Sequence, residues 1–143
     1  MDDKLLKKLN IFISEIDREY KLKIAYLFGS FSRGEENEKS DIDIALLFEK
    51  KYTDFQDAML RGTLIEKGKE ILGREVDIVN LNIAPIRLKY QVVKEGQILK
   101  DHFIRPSFES LVLREYFDYM YYAEKYNQAI IESIKENKYF GGK

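Results

Sequence analysis

Two five-residue apolar runs, Ile24-Ala25-Tyr26-Leu27-Phe28 and Ile44-Ala45-Leu46-Leu47-Phe48, bracket a polar segment. That segment starts Gly29-Ser30-Phe31-Ser32-Arg33-Gly34 and ends Ser40-Asp41-Ile42-Asp43. Short apolar runs bounded by turn residues read as buried strands. The pattern is therefore strand, Gly-Ser turn, polar segment, strand, with two carboxylates opening the second strand. Side chains alternate faces along a strand, so Asp41 and Asp43 point the same way, about 6–7 Å apart along the backbone. Ile42, Ile44, Leu46 and Phe48 take the opposite face and belong to the core.

Two like charges on one face repel unless something positive sits there. Hard divalent cations with oxygen ligands suit the pair, Mg²⁺ above all, because Mg²⁺ takes one or two protein carboxylates and fills its shell with water and phosphate oxygens. The turn supplies the complementary half. Gly29 lets the backbone approach a ligand, and N–H groups of a turn that leads into a helix make an anion cradle. Ser30 adds a hydroxyl donor and Arg33 a nearby positive charge. A third acid, Asp77, lies in the apolar run Glu75-Val76-Asp77-Ile78-Val79, 34 positions beyond Asp43. That interval holds a crossover helix and a return strand. Beside the first pair, Asp77 completes a three-carboxylate site of the kind used for two-metal phosphoryl or nucleotidyl transfer. Taken singly, an Asp-x-Asp is usually an exposed strand end, a Gly-Ser a plain turn, and a lone strand acid a guard against edge pairing.

Gly29-Ser30, ten residues, then Asp41-x-Asp43, with Asp77 further on, resembles the signature of the DNA-polymerase-β-like nucleotidyltransferases. More narrowly, the chain resembles the minimal nucleotidyltransferase (MNT) domain over essentially its whole length, including Gly96-Gln97-Ile98-Leu99 and the aromatic C-terminal helix. The resemblance implies an α/β (α+β) fold, a small mixed sheet flanked by helices with a long C-terminal helix. It implies ATP as substrate and two Mg²⁺ ions on Asp41, Asp43 and Asp77. Asp77 then also stands where a general base is needed, Gly29 and Ser30 cradle the β- and γ-phosphates, Arg33 neutralises charge, and Ser40 orients the acid pair or touches phosphate. Such MNT proteins are antitoxins paired with a HEPN-domain ribonuclease toxin, which they silence by transferring AMP to one of its tyrosines. Two alternatives stay open: transfer to a small molecule, as in aminoglycoside nucleotidyltransferases, and a non-catalytic antitoxin that masks its toxin sterically.

The 143 residues predict one domain, with a nucleotidyltransferase core over about 20–100 and a C-terminal helix over about 106–137. Lys+Arg at 24 against Asp+Glu at 25 carries no basic excess, so general nucleic-acid binding is not expected. Without cysteine, thiolate metal sites, disulfides and cysteine nucleophiles are excluded, and the single histidine, His102, excludes multi-histidine metal sites. His102 falls in a loop and reads as incidental. No apolar run reaches the roughly 18 residues of a membrane span, and Met1-Asp2-Asp3-Lys4 opens no signal sequence, so a cytoplasmic location is expected.

Along the chain, the spacing predicts an amphipathic helix over 3–19, a strand over 23–28, a short helix over 30–34 and a strand over 41–48. It predicts a helix over 54–73 capped by Thr53 or Asp54, a strand over 75–80, a helix over 86–94 with Pro85 in its first turn, and a short strand over 97–100. Glu35, Glu36 and Glu38 read as a solvated loop. The last helix, opened by Pro106, is aromatic on more than one face. One face suits the sheet and another suits a partner, since tyrosine is enriched in interface cores. The tail from Tyr139 to Lys143 is expected to fray.

Overall fold

A computed structural model describes residues 2–37 and 39–136. Met1, Glu38 and residues 137–143, which include the expected helix end near Asn137 and the expected frayed tail, lie outside the described residues. The order is α1 (Asp3–Tyr20), β1 (Leu22–Phe28), α2 (Ser30–Arg33), β2 (Ile42–Phe48), α3 (Asp54–Leu72), β3 (Val76–Asn80), α4 (Ile86–Glu95), β4 (Gln97–Lys100) and α5 (Arg105–Lys135). The predicted elements are all present, and the sheet is mixed. Its strand order is β3-β2-β1-β4, with β1 antiparallel to β2 and to β4, and β2 parallel to β3.

Local chemistry explains most boundaries. Thr53 caps α3 through a capping box with Gln56, and Gly73 closes it in the left-handed conformation. Pro85 stands just outside α4 as its N-cap rather than within the first turn, because its ψ of 151° is extended. Asp41 also sits one residue before β2. The ladder begins where Ile42 donates its N–H to Glu75 O at 2.9 Å, and Asp41 is exposed ahead of it.

Each sheet face buries its own core. Ile42, Ile44, Leu46 and Phe48 pack with Leu9, Phe12, Leu60 and Leu64 under α1 and α3, as the alternation requires. Gly68 lets those two helices meet, since a Cβ there would come within 3.0 Å of the Phe12 ring. On the opposite face Tyr26, Phe28, Ala45 and Leu47 pack with Val92 and Leu88 of α4. Tyr26 is buried, and its hydroxyl donates to Glu109 Oε2 at 2.7 Å, tying α5 to β1.

The last helix departs from expectation. Only its first turns reach the core, through Phe108 and Val112. The face it was expected to cover is already occupied by α4, so α5 leans on α4 instead. Tyr116 stacks on Tyr90 with ring centroids 3.7 Å apart. Beyond that stack Tyr121, Tyr122 and Tyr126 are exposed. Among the described residues no helix is long and apolar enough to cross a membrane.

Candidate active site

The site is built at the end of the sheet where β1 leaves and β2 and β3 enter. Phe28 is the register partner of Asp43, and Asp43 is in turn the partner of Asp77. Residues opposite one another in a ladder share a face, so both acids lie on the α4 side, in one row across three strands. Asp41, two positions before Asp43, stands beside the row.

Immediately after Phe28 the chain turns through Gly29, with φ 76° and ψ −151°, a conformation open only to glycine. Close approach adds a second reason for glycine. A Cβ at this position would fall on Asp43 Oδ2 and lie 3.1 Å from its Cγ. Ser30 then begins α2, a single turn. Buried Phe31 anchors it, and Ser32 Oγ donates to Gly29 O at 2.9 Å. The N–H end of this turn stands next to Asp43.

Burial pushes the Asp43 carboxyl above its usual range, and the charges of Asp77 and then Asp41 push it the same way, while Arg33 pulls it back. A cation set among these carboxylates would offset the like-charge part of that shift. As the side chains stand, no three acids among the described residues converge into a closed metal-ligand set. Mg²⁺ needs no such cage: one or two hard carboxylates suffice when water and phosphate supply the rest. The in-register Asp43 and Asp77, with Asp41 beside them, fit that requirement.

The remaining predicted residues are placed differently. The Arg33 guanidinium is held at the mouth of the site by Glu35, at 2.6 Å, and by Glu95 at the end of α4, at 2.9 Å. Ser40 Oγ accepts from the Asn37 N–H at 2.9 Å, a contact that shapes the loop ahead of the acid pair. His102 Nδ1 accepts from the Ile104 N–H at 3.1 Å, a local turn contact.

Two features escaped the sequence reading. Arg74 donates to Asn37 O at 3.0 Å and to Ser40 O at 3.2 Å, and lies 5.1 Å from the Phe31 ring. It thereby clamps the loop that delivers Asp41. The second feature is a cavity of about 250 Å³ against Asp77, at the outer edge of β3. Its polar wall is a network in which buried Asp57 takes Arg61 Nε at 2.9 Å and Asn80 Nδ2 at 2.8 Å. Neither feature has a local motif. Each joins residues that only the βαβ crossover brings together.

Comparison with known proteins gives the site a context. The polymerase β nucleotidyltransferase family matches residues 11–102. The protein adenylyltransferase MntA of Shewanella oneidensis is 38% identical over 98 residues, which are 68% of this chain and 63% of that protein. The chain spans about three-fifths of the length of that relative. Among solved structures, one chain of a toxin–antitoxin crystal structure with AMP-PNP is 30% identical, with a TM-score of 0.65 over 88% of this chain and 98% of that one. A chain of the complex between a tri-AMPylated Shewanella oneidensis HEPN toxin and its MNT antitoxin is 28% identical, with a TM-score of 0.61 over 92% and 98% of the two chains.

Proposed function

Because this chain belongs to the polymerase β nucleotidyltransferase family, we propose that it is a protein adenylyltransferase antitoxin, which transfers AMP from ATP to a tyrosine of a cognate HEPN-domain toxin and so neutralises it. The observation that carries this reading is the row Gly29–Asp43–Asp77, a glycine turn packed against a carboxylate whose neighbour in register is a second carboxylate. The similarity to MntA and to a chain of an AMPylated toxin–antitoxin complex supports the acceptor class.

In this reading Gly29 and Ser30 hold the β- and γ-phosphates through the N–H end of α2. Asp41, Asp43 and Asp77 hold Mg²⁺, which when bound supplies charge neutralisation on the triphosphate and a lowered pKa for the attacking hydroxyl. Arg33 exchanges a carboxylate partner for phosphate as ATP arrives. Asp77, on the strand farthest from the turn, accepts the proton of the acceptor hydroxyl. The residues contribute position and field, and the reaction needs no covalent enzyme intermediate. The reaction takes place in the cytoplasm, where ATP and the toxin are both available.

The test is intact-mass spectrometry of the cognate toxin after incubation with this protein, ATP and Mg²⁺. The toxin gains one AMP mass or its multiples, and the gain is lost with Asp43→Ala. Neutralisation by Asp43→Ala protein that adds no AMP would replace this reading with steric masking.

A further inference from the structure

We propose that α5 pairs antiparallel with α5 of a second copy of this chain, along an exposed seam that the rest of the fold leaves open. The inference goes beyond the catalytic reading and does not depend on it.

The spacing of residues on α5 carries the first part of the argument. Phe117, Met120, Glu124, Asn127, Ile131 and Ile134 follow one another at intervals of three, four, three, four and three. That alternation is the seam of a two-stranded coiled coil, in which each such residue faces the partner helix. All six residues are exposed. The first five line one continuous groove along the helix. Phe108, Val112 and Tyr116, which hold α5 to the rest of the fold, sit about a quarter turn round the helix from this seam. Tyr122 and Tyr126 lie on the side away from it, so a partner on the tyrosine face and a partner on the seam do not exclude one another.

The order of the seam residues identifies the occupant. Turned end for end about a point between Glu124 and Asn127, the seam is its own complement. Phe117 then faces Ile134 of the second copy, Met120 faces Ile131, and Glu124 faces Asn127. Apolar layers meet apolar layers at both ends, and the polar layers meet at the centre. There the Glu124 carboxylate accepts from the Asn127 amide, two side chains that have no partner of their own among the described residues. A polar layer inside an apolar seam lowers stability but fixes register and orientation. Parallel pairing in register would set Glu124 against Glu124, two like charges at the interface centre. A helix from a different protein would have to repeat this order in reverse, whereas a second copy supplies it by symmetry.

The experiment is sedimentation velocity on the full chain over a dilution series, with disulfide trapping beside it. One pair of helices is a small interface, so the wild-type dimer dissociates in the micromolar range, about 1–100 µM. Ile131→Glu stays monomeric throughout and melts like the dilute wild type, because position 131 is exposed in the monomer. Asn127→Asp sets carboxylate against carboxylate and weakens the dimer at least about tenfold. Adding Glu124→Gln to it restores the affinity, since amide again faces carboxylate. The chain has no cysteine, so introduced thiols report the register directly. Met120→Cys and Ile131→Cys proteins, mixed and oxidised, give mainly the crosslink between 120 and 131. Predominant 120–120 and 131–131 crosslinks would overturn the antiparallel pairing. A dimer that persists in Ile131→Glu would also overturn the inference. So would a wild type that stays monomeric at every concentration while Ile131→Glu loses the toxin, which would assign the seam to that partner.

Discussion

Asp43 and Asp77 are register partners on adjacent parallel strands, two carboxylates side by side on one face of the sheet. Their repulsion adds to burial in raising the Asp43 pKa above its usual value. A folded-state pKa above the unfolded one means that the folded protein holds this proton more tightly. The contribution to stability is therefore full below the ordinary carboxylate range, is lost as pH rises through the raised value, and is absent at pH 7. Asp43→Asn removes the penalty. Without divalent cations at pH 7 it melts higher than wild type, by no more than about 2–4 °C because solvent screens the pair. The difference closes as the pH falls through the ordinary carboxylate range. Added Mg²⁺ raises the melting temperature of the wild type and leaves that of the variant unmoved. Thermal melts across pH, with and without Mg²⁺, check all three outcomes.

Gly29→Ala meets both a disallowed φ and the Asp43 carboxylate. Melts should show a loss of about 1–3 kcal/mol, the usual cost of a residue forced into such a conformation. AMP transfer should fall at least about 100-fold, as it does when a reacting group is displaced by an ångström.

Arg74→Ala releases two carbonyls of the 37–40 loop and the contact with Phe31. Hydrogen exchange should quicken at Asn37–Asp41 and stay unchanged in β1. Transfer should fall through kcat rather than through the melting temperature, because what is lost is the placement of Asp41.

Glu95 holds the Arg33 guanidinium at 2.9 Å, so under the proposed function an arriving phosphate must compete with it. Glu95→Gln should bind ATP a few-fold more tightly, and Arg33→Ala about tenfold more weakly, the worth of one charge-assisted hydrogen bond. Calorimetric titration with a non-hydrolysable analogue measures both. The gain in Glu95→Gln should disappear when Arg33 is also removed.

On α5, Tyr122 is 69% exposed and Tyr126 66%. Replacing both with glutamate should leave the melt within about 0.5 kcal/mol of wild type, as surface changes do. The same double variant should fail to co-elute with the cognate toxin on size exclusion. Retention of the complex would show that this helix face takes no part in binding.

The candidate acids were legible in the sequence because strand alternation is a local rule: Asp41-x-Asp43 and Asp77, each set in an apolar run, already fix which side chains share a face. Gly29 was legible as a turn, but the reason it must be glycine was not, because Asp43 comes to it from another strand. Arg74 and the Asp57–Asn80 pair were invisible for the same reason. Each depends on the α3 crossover laying β3 beside β2, and no spacing within a single element encodes that. The α5 helix misled in the opposite way. Of the two faces read on it, the one assigned to the sheet was wrong because α4 had already taken that side, while the face assigned to a partner is the one left in solvent.

The interlock of Gly29 with Asp43 also constrains how this protein can change over generations. A side chain at position 29 can be accommodated only after the carboxylate at 43 has gone and the turn itself has changed its backbone conformation. The two positions therefore drift as a unit. In a descendant that had lost the acid, the close approach at position 29 would be gone and only the glycine conformation of the turn would still hold a side chain out. Once the glycine had gone as well, a return to catalysis would need two changes in a fixed order, glycine first and aspartate second. Loss is a single step and recovery is not, so the turn and the acid act together as a ratchet.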